Sequence, residues 1–398
     1  MRKTILTFTG LIIGILSLIA NVSVALAAPG DVMWTQASNP SAYGDWANAV
    51  AVDGSGVYIV GEDEYPGSGN ARWRIEKRSL STGSTIWTQT SNPSAYWDGA
   101  WGVAVDGSGV YIVGEDEYPG SGNARWRIEK RSLTTGSLIW SQASNPSAYD
   151  DWAWGVAVDG SGVYIVGEDE YPGSGNARWR IEKRSLSTGS IIWTKTSNPS
   201  AYWDEAWGVA VDGSGVYIVG EDEYPGLGNA RWRIENRSLT TGSLIWSQAS
   251  NPSAYNDKAK AVAVDGSGVY IVGHDQYPGS GNNRWRMEKR SLTDGSSIWI
   301  QSSNPSAYKD TARSVAVDGS GVFIVGEDEY PGSGNARWRM EKRNLSTGSN
   351  LWTRTSNPSA YEDDAWGVAT DGTGVYIVGS DSYPGLYNER WRIEKRAP

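Results

Sequence analysis

The sequence contains no cysteine, a single histidine (His274) and only two phenylalanines. Without cysteine there is no disulfide framework, no thiolate metal site and no cysteine nucleophile. One histidine falls short of the two or more N/S ligands that most zinc sites need, and it leaves no credible Ser-His-Asp arrangement. Helical periodicity is also missing: outside the N-terminal segment no stretch repeats its apolar residues at helical spacing, and nothing after that segment is apolar enough to span a bilayer. A basic excess is absent too, with 35 Lys+Arg against 45 Asp+Glu and a formal net charge of −10. An acidic chain repels nucleic acid and anionic membranes at long range, which argues against a nucleic-acid role.

What the chain does have is 22 Trp, 21 Tyr and 49 Gly in 398 residues, the composition of a turn-rich β protein. Its first residues combine a basic start (Arg2, Lys3), an apolar run and the small-x-small pattern Ala25-Leu26-Ala27. Residues 1–27 are therefore expected to be a secretory signal peptide, with an uncleaved membrane anchor as the alternative, and residues 28–398 a single domain. A secreted or cell-surface monomer is the corresponding expectation, with no membrane span once the signal is removed.

The dominant feature is a repeat. Asp53, Asp106, Asp159, Asp212, Asp265, Asp318 and Asp371 open a "DGSG" turn (finally "DGTG") every 53 residues, without one insertion. A period of this size means a solenoid, a propeller or an array. Each unit reads as four strands. "GVAVD" and "VYIVG" flank the Asp-Gly hairpin turn, the loop "EDEYPGSGNA" follows, and then "RWRIEKRSL", the turn "STGS" and "TIWTQT". The last repeat stops after its third strand, while residues 31–38, "DVMWTQAS", form a fourth strand with no unit of its own. Residues 31–38 can pair beside residues 390–396, and an overlap of this kind closes a ring, whereas an open solenoid needs polar caps. The expected fold is all-β: a seven-bladed β-propeller with four antiparallel strands per blade, closed by the N-terminal strand.

The unit "AWGVAVDGSGVYIVG" resembles the SBBP-type seven-bladed β-propeller repeat and, less closely, the NHL repeat. "TTGSLIW" is similar to the Thr-Gly…Trp ending of pyrroloquinoline-quinone-type propeller repeats. The resemblance covers residues 31–398 and implies the fold, while propellers of this kind host many activities. It also implies geometry: the first strand lines the central channel, "SNPSAYxDxA" and "EDEYPGSGN" crowd one face (the top), and the two tight turns form the underside. No additional cofactor residues of the quinone enzymes are evident, and no cofactor is expected.

Fourteen Trp recur in every copy, on the outer strand (Trp34 and its equivalents) and on the third (Trp73 and its equivalents), as expected of interblade packing. The other eight do not recur. They lie in three columns of the blade-to-blade segment, two residues apart, so that an extended chain puts them on one face. One column runs Asn48, Trp101, Trp154, Trp207, Lys260, Arg313, Trp366. The next runs Trp46, Gly99, Trp152, Glu205, Lys258, Thr311, Asp364, and the third Gly44, Trp97, Asp150, Trp203, Asn256, Lys309, Glu362. The candidate ligand-binding residues are accordingly Trp46, Trp97, Trp101, Trp152, Trp154, Trp203, Trp207 and Trp366 with Lys258, Lys260, Lys309 and Arg313, a collar with a Trp arc in blades two to four and a basic arc in blades five and six. Drift at tolerant exposed positions is the bland alternative, but drift does not favour Trp, and exposed aromatic clusters mark binding surfaces.

The recurrent acids have a structural reading: the Asp45 and Asp63 series accept turn N–H groups or pair with arginines such as Arg72 and Arg74. Calcium is the alternative ligand for them, although no repeat has the spacing of a known calcium loop. Paired carboxylates of the glycosidase type can be drawn from almost any two of these acids, so no catalytic residue is assigned. His274, which replaces the first Glu of "EDEYPG" in blade five, is expected to be a solvated loop histidine. Asn236 and Asn344 begin glycosylation sequons. Together these readings point to an exported binding or adhesion propeller whose partner is an extracellular glycan or surface protein. An extracellular lyase or glycosidase and a structural surface-layer component are the alternatives.

Overall fold

The computed structural model describes residues 27–398 except positions 66, 68, 119, 121, 172, 174, 225, 278, 331, 384, 386 and 387. Apart from Ala27, the expected signal peptide lies outside the described residues. The described chain forms 28 strands in seven four-stranded antiparallel sheets, one per blade of a β-propeller. Blade one runs from its inner strand Asp45–Asp53 through Gly56–Asp63 and Arg72–Arg78 to its outer strand Thr85–Ser91. The last blade, Asp363–Thr370, Val375–Ser382 and Glu389–Arg396, receives Val32–Ser38 as its outer strand, with Trp34 opposite Lys395 and Ser38 opposite Trp391. The expected ring closure is thus the observed one.

Local chemistry explains the hairpins. Asp53 Oδ1 accepts the Ser55 and Gly56 N–H groups at 2.7 and 3.0 Å, closing the inner turn. In the outer turn Gly83 has φ 71°, and a Cβ there would sit 2.7 Å from the ring of Trp34 on the adjoining blade. Only glycine serves both needs.

The core lies between blades, not at a common centre. Tyr58, Val60, Trp73 and Ile75 of blade one pack with Ala100, Val110 and Ile112 of blade two. The Trp73 indole N–H donates to the Glu115 carbonyl at 3.1 Å, and the same bond runs blade by blade until Trp391 donates to Glu62 at 3.1 Å, joining last to first. The polar side of the third strand is buried as well. Glu76 is fully enclosed between Arg74 and Arg78, each at 2.6 Å, and Asp63 takes Arg72 at 2.7 Å. Buried charges persist because each has its counter-ion and hydrogen bonds.

Candidate ligand-binding site

Inner strands begin at the same end of the ring where the second strands finish, so the blade-to-blade segments and the second-to-third loops share the top face. Near that end each inner strand slips register by one residue. Ala47 pairs with Gly61 and Ala49 with Val60, leaving Asn48 unpaired, and the slip recurs in all seven blades. A bulge of this kind re-aims a side chain. The cause lies across the ladder: a Cβ on Gly61 would stand 1.9 Å from the Trp46 carbonyl oxygen, so the close approach requires glycine there.

The bulged residues are Asn48, Trp101, Trp154, Trp207, Lys260, Arg313 and Trp366, and together they line one cavity of about 170 Å³ at the channel mouth. Below it the channel opens into about 250 Å³ walled by inner-strand residues such as Val50, Val103 and Val156. Trp101 and Trp154 lie 5.3 Å apart between ring centroids, and Trp154 and Trp207 4.7 Å, both pairs tilted. The aromatic and basic arcs do not form separate halves. Lys260 Nζ stands 3.5 Å from the Trp207 ring centre, and the Arg313 guanidinium 3.8 Å from that of Trp366.

The remaining candidates fall around this ring. Trp152 stacks on Trp154 at 5.8 Å, and Trp46 meets Trp97 of the next blade at 6.3 Å. Lys258 reaches back one blade to Glu221 at 2.7 Å, and the Trp203 indole donates to Glu205. Lys309 is exposed and away from the cavity.

A belt of acids behind the collar escaped the sequence reading. The first position of the "EDE" loop pairs with the second collar column, as in Trp46 opposite Glu62 and Trp152 opposite Glu168. Glu115 accepts the Trp101 indole and Glu327 the Arg313 guanidinium, while the fully buried Glu168 accepts from no N–H or hydroxyl donor among the described residues and lies against the Glu205 carboxyl. Burial and neighbouring carboxylates hold Glu62 and Glu168 well above the usual carboxylate range. Burial pushes Glu115 up to about 8, and burial with Glu221 nearby does the same to Glu205. Glu221 itself, although buried, is held below the usual range by Lys258.

His274 belongs to this belt, so the expectation of a solvated loop histidine is wrong. It is 6% exposed, and burial together with Lys260, Lys258 and Arg313 keeps its imidazole neutral. Burial likewise pushes the Lys260 ammonium down to about 8. The Asp45 and Asp63 series show the partners expected of structural acids: Asp98 accepts the Ser94 N–H and hydroxyl, and Asp116 the Arg125 guanidinium. Among the described residues no group of three or more His, Asp and Glu is arranged to hold a metal ion.

Chemically, the collar offers tilted indole faces and an ammonium without a hydrogen-bond partner among the described residues. The indole N–H groups of Trp154, Trp207 and Trp366 are buried behind these faces and find no acceptor among the described residues.

No family model matches the chain, and a search of curated proteins finds no match. Solved structures are similar at the level of the fold. A polysaccharide lyase, Uly1, matches with a TM-score of 0.51 at 7% identity, over 88% of this chain and 90% of its own. Sqt1 from Chaetomium thermophilum, bound to the N-terminus of the ribosomal protein L10, gives 0.49 at 12% identity, over 93% and 100%. The quinohemoprotein alcohol dehydrogenase ADHIIG from Pseudomonas putida HK5 gives 0.48 at 13% identity, over 87% of this chain, which spans only 66% of that protein's length.

Proposed function

We propose that the protein is an exported binding or adhesion propeller whose collar holds one ring-shaped, acid-bearing residue of an extracellular glycan. The observation that carries this reading is the convergence of seven bulged side chains, one per blade, on a single cavity, in a chain whose framework hardly varies. The cavity of about 170 Å³ is smaller than the ~300–1,000 Å³ of pockets for drug-sized ligands, so it suits one ring and not a run of them. Trp101, Trp154 and Trp207 offer apolar faces to the C–H side of a sugar. Lys260, over the Trp207 ring, suits a carboxylate on that sugar.

A second reading, an extracellular lyase or glycosidase, rests on Glu168, Glu205 and Glu221. There, buried acids held protonated adjoin an ionised one, the arrangement that acid–base pairs use. None of the three lines the cavity, which favours binding over cleavage.

A glycan array probed with residues 28–398, with turnover assayed on every hit, separates the readings. Binding without product supports the collar proposal, and product release supports the enzyme. Absence of both supports a structural surface-layer component and sinks the proposal.

A further inference from the structure

We infer that the rim of the top face carries seven equivalent grooves for uncharged, hydroxyl-rich sugar residues, separate from the collar, which make the propeller a multivalent binder of a neutral polysaccharide. The inference shares a ligand class with the collar reading but none of its residues.

Each blade exposes two tyrosines on this face, from Tyr43 and Tyr65 in blade one to Tyr361 and Tyr383 in blade seven, all between 37% and 51% exposed. The first closes the segment Asn-Pro-Ser-Ala-Tyr, which is identical in all seven copies, and the second sits in the loop between second and third strands. In blade five the two loops flank an open groove of about 430 Å³ between Asn251–Tyr255 and Gln276–Tyr277. In blade six one of about 420 Å³ lies between Asn304–Tyr308 and Glu329–Tyr330. Both are within the ~300–1,000 Å³ typical of ligand pockets.

The grooves are organised in advance. Asp257 is fully buried and accepts the Ser253 N–H at 3.0 Å and hydroxyl at 2.7 Å, while Ser253 Oγ accepts the Tyr255 N–H at 3.1 Å. The Arg284 guanidinium lies 4.3 Å over the Tyr277 ring and fixes the opposite wall. A rigid aromatic wall lowers the ordering cost of binding.

Among the described residues the first tyrosine of blade five, Tyr255, stacks on no aromatic ring, and its hydroxyl makes no hydrogen bond, while 41% of the residue is exposed. Exposed positions without a task do drift between copies, as Thr88, Ser141 and Ile300 show at one outer-strand position. The residue after this tyrosine varies around the ring, from Gly44 and Trp97 to Lys309 and Glu362, while the exposed tyrosine does not, and that contrast points to a ligand.

The lining states its class. Two phenol rings suit the C–H faces of sugar rings, and the flanking Ser, Asn and Gln groups suit hydroxyls. A purely apolar groove of the kind that docks proline-rich peptides would lack these. A Glu stands at the Gln276 position in five of the seven copies and the whole chain is acidic, so anionic polymers are disfavoured. A polymer of identical units meets a ring of seven grooves that share the same tyrosine pair, and avidity then exceeds the single-site affinity by ~10²–10⁴.

The test titrates the mature protein calorimetrically with uncharged trisaccharides (cello-, xylo-, manno- and malto-series) and runs it through native gels containing the parent polysaccharides. At least one trisaccharide should bind with a stoichiometry near seven, and its polymer should retard the protein. Replacing the four rim tyrosines of blades five and six (Y255A, Y277A, Y308A, Y330A) should lower the stoichiometry by about two at unchanged site affinity, with a melting curve confirming the fold. The collar variant W101A/W154A/W207A should leave the stoichiometry alone, so failure of the collar reading and failure of this one are told apart. Binding by no neutral sugar, a stoichiometry of one, or a count indifferent to the rim substitutions would overturn the inference.

Discussion

The ammonium nitrogen of Lys260 lies 3.5 Å from the centre of the Trp207 ring on the neighbouring blade. That contact joins the basic arc to the aromatic one, and burial pushes the ammonium down to about 8, so its charge is kept at neutral pH and lost as pH rises through that value. Affinity for an acid-bearing glycan should therefore fall about tenfold between pH 7 and pH 9, a loss of ~1.4 kcal/mol. Glu115 and Glu205 lose protons in the same window and push in the same direction. Titrations with Lys260→Asn, the residue type that blade one carries at Asn48, separate the contributions: most of the pH dependence should disappear. An unaltered profile would remove Lys260 from the site.

Stability should rise, not fall, as the solution is acidified from pH 8 to about pH 4.5. Burial raises Asp45, Asp98, Asp151, Asp204, Asp310 and Asp363 to about 6, and Glu115 and Glu205 to about 8. For an acid whose folded pKa is raised, the native state holds a proton that the unfolded chain has released. Stability therefore increases as pH falls from the folded value to the unfolded one near ~4. The buried neutral His274 opposes this below ~6.5, as one group against eight. Scanning calorimetry at pH 8 and pH 5 checks the sign: a lower melting temperature at pH 5 would mean that these acids are paired in ways the geometry does not show.

Removing residues 31–38 should strip the edge of Glu389–Arg396 and leave an open strand prone to aggregation. It also deletes Trp34, whose indole donates to Leu80 of blade one at 3.2 Å. A large drop in melting temperature and in solubility is expected. Unchanged values would mean that the ring does not depend on its overlapping strand.

Gly167→Ala should flatten the bulge that presents Trp154. Its Cβ would stand 1.9 Å from the Trp152 carbonyl oxygen, so the two strands must part, at ~1–3 kcal/mol for overpacking of this kind. Denaturant unfolding should show that loss, and glycan binding should weaken with it. A variant with wild-type stability would show that the bulge is not held by this glycine.

The repeat made most of the fold legible. Seven copies of one hairpin signal, and a first strand matched to a missing last one, leave little freedom in topology. The collar columns were legible because Trp101, Trp154 and Trp207 break a pattern that is otherwise kept. The bulge was not, since a one-residue slip such as that between Ala47 and Ala49 exists only relative to a partner strand. The acid belt was missed because Glu62 and Glu168 read as the start of a polar loop, whereas they end a strand and pair with the collar. His274 shared that error. The rim tyrosines carry no signal in the sequence, because Tyr43, Tyr65 and their equivalents recur unchanged as framework residues do. Only their exposure distinguishes them from Tyr58 or Tyr111, which are fully buried.

The central claim is that the collar tryptophans serve a ligand and not the core, and the melting curve of W101A/W154A/W207A, read beside its glycan binding, tests it most directly. These rings are partly exposed and touch each other across blades, so truncation forfeits stacking worth ~0.5–1.5 kcal/mol per pair. The fully buried Trp126, Trp179 and Trp232 would each cost ~3–5 kcal/mol when truncated. The account predicts a collar variant that melts within a few degrees of the wild type and binds no acid-bearing glycan, beside a framework variant that does not fold. A collapsed melting temperature in the collar variant, or intact binding at an intact melting temperature, would contradict it.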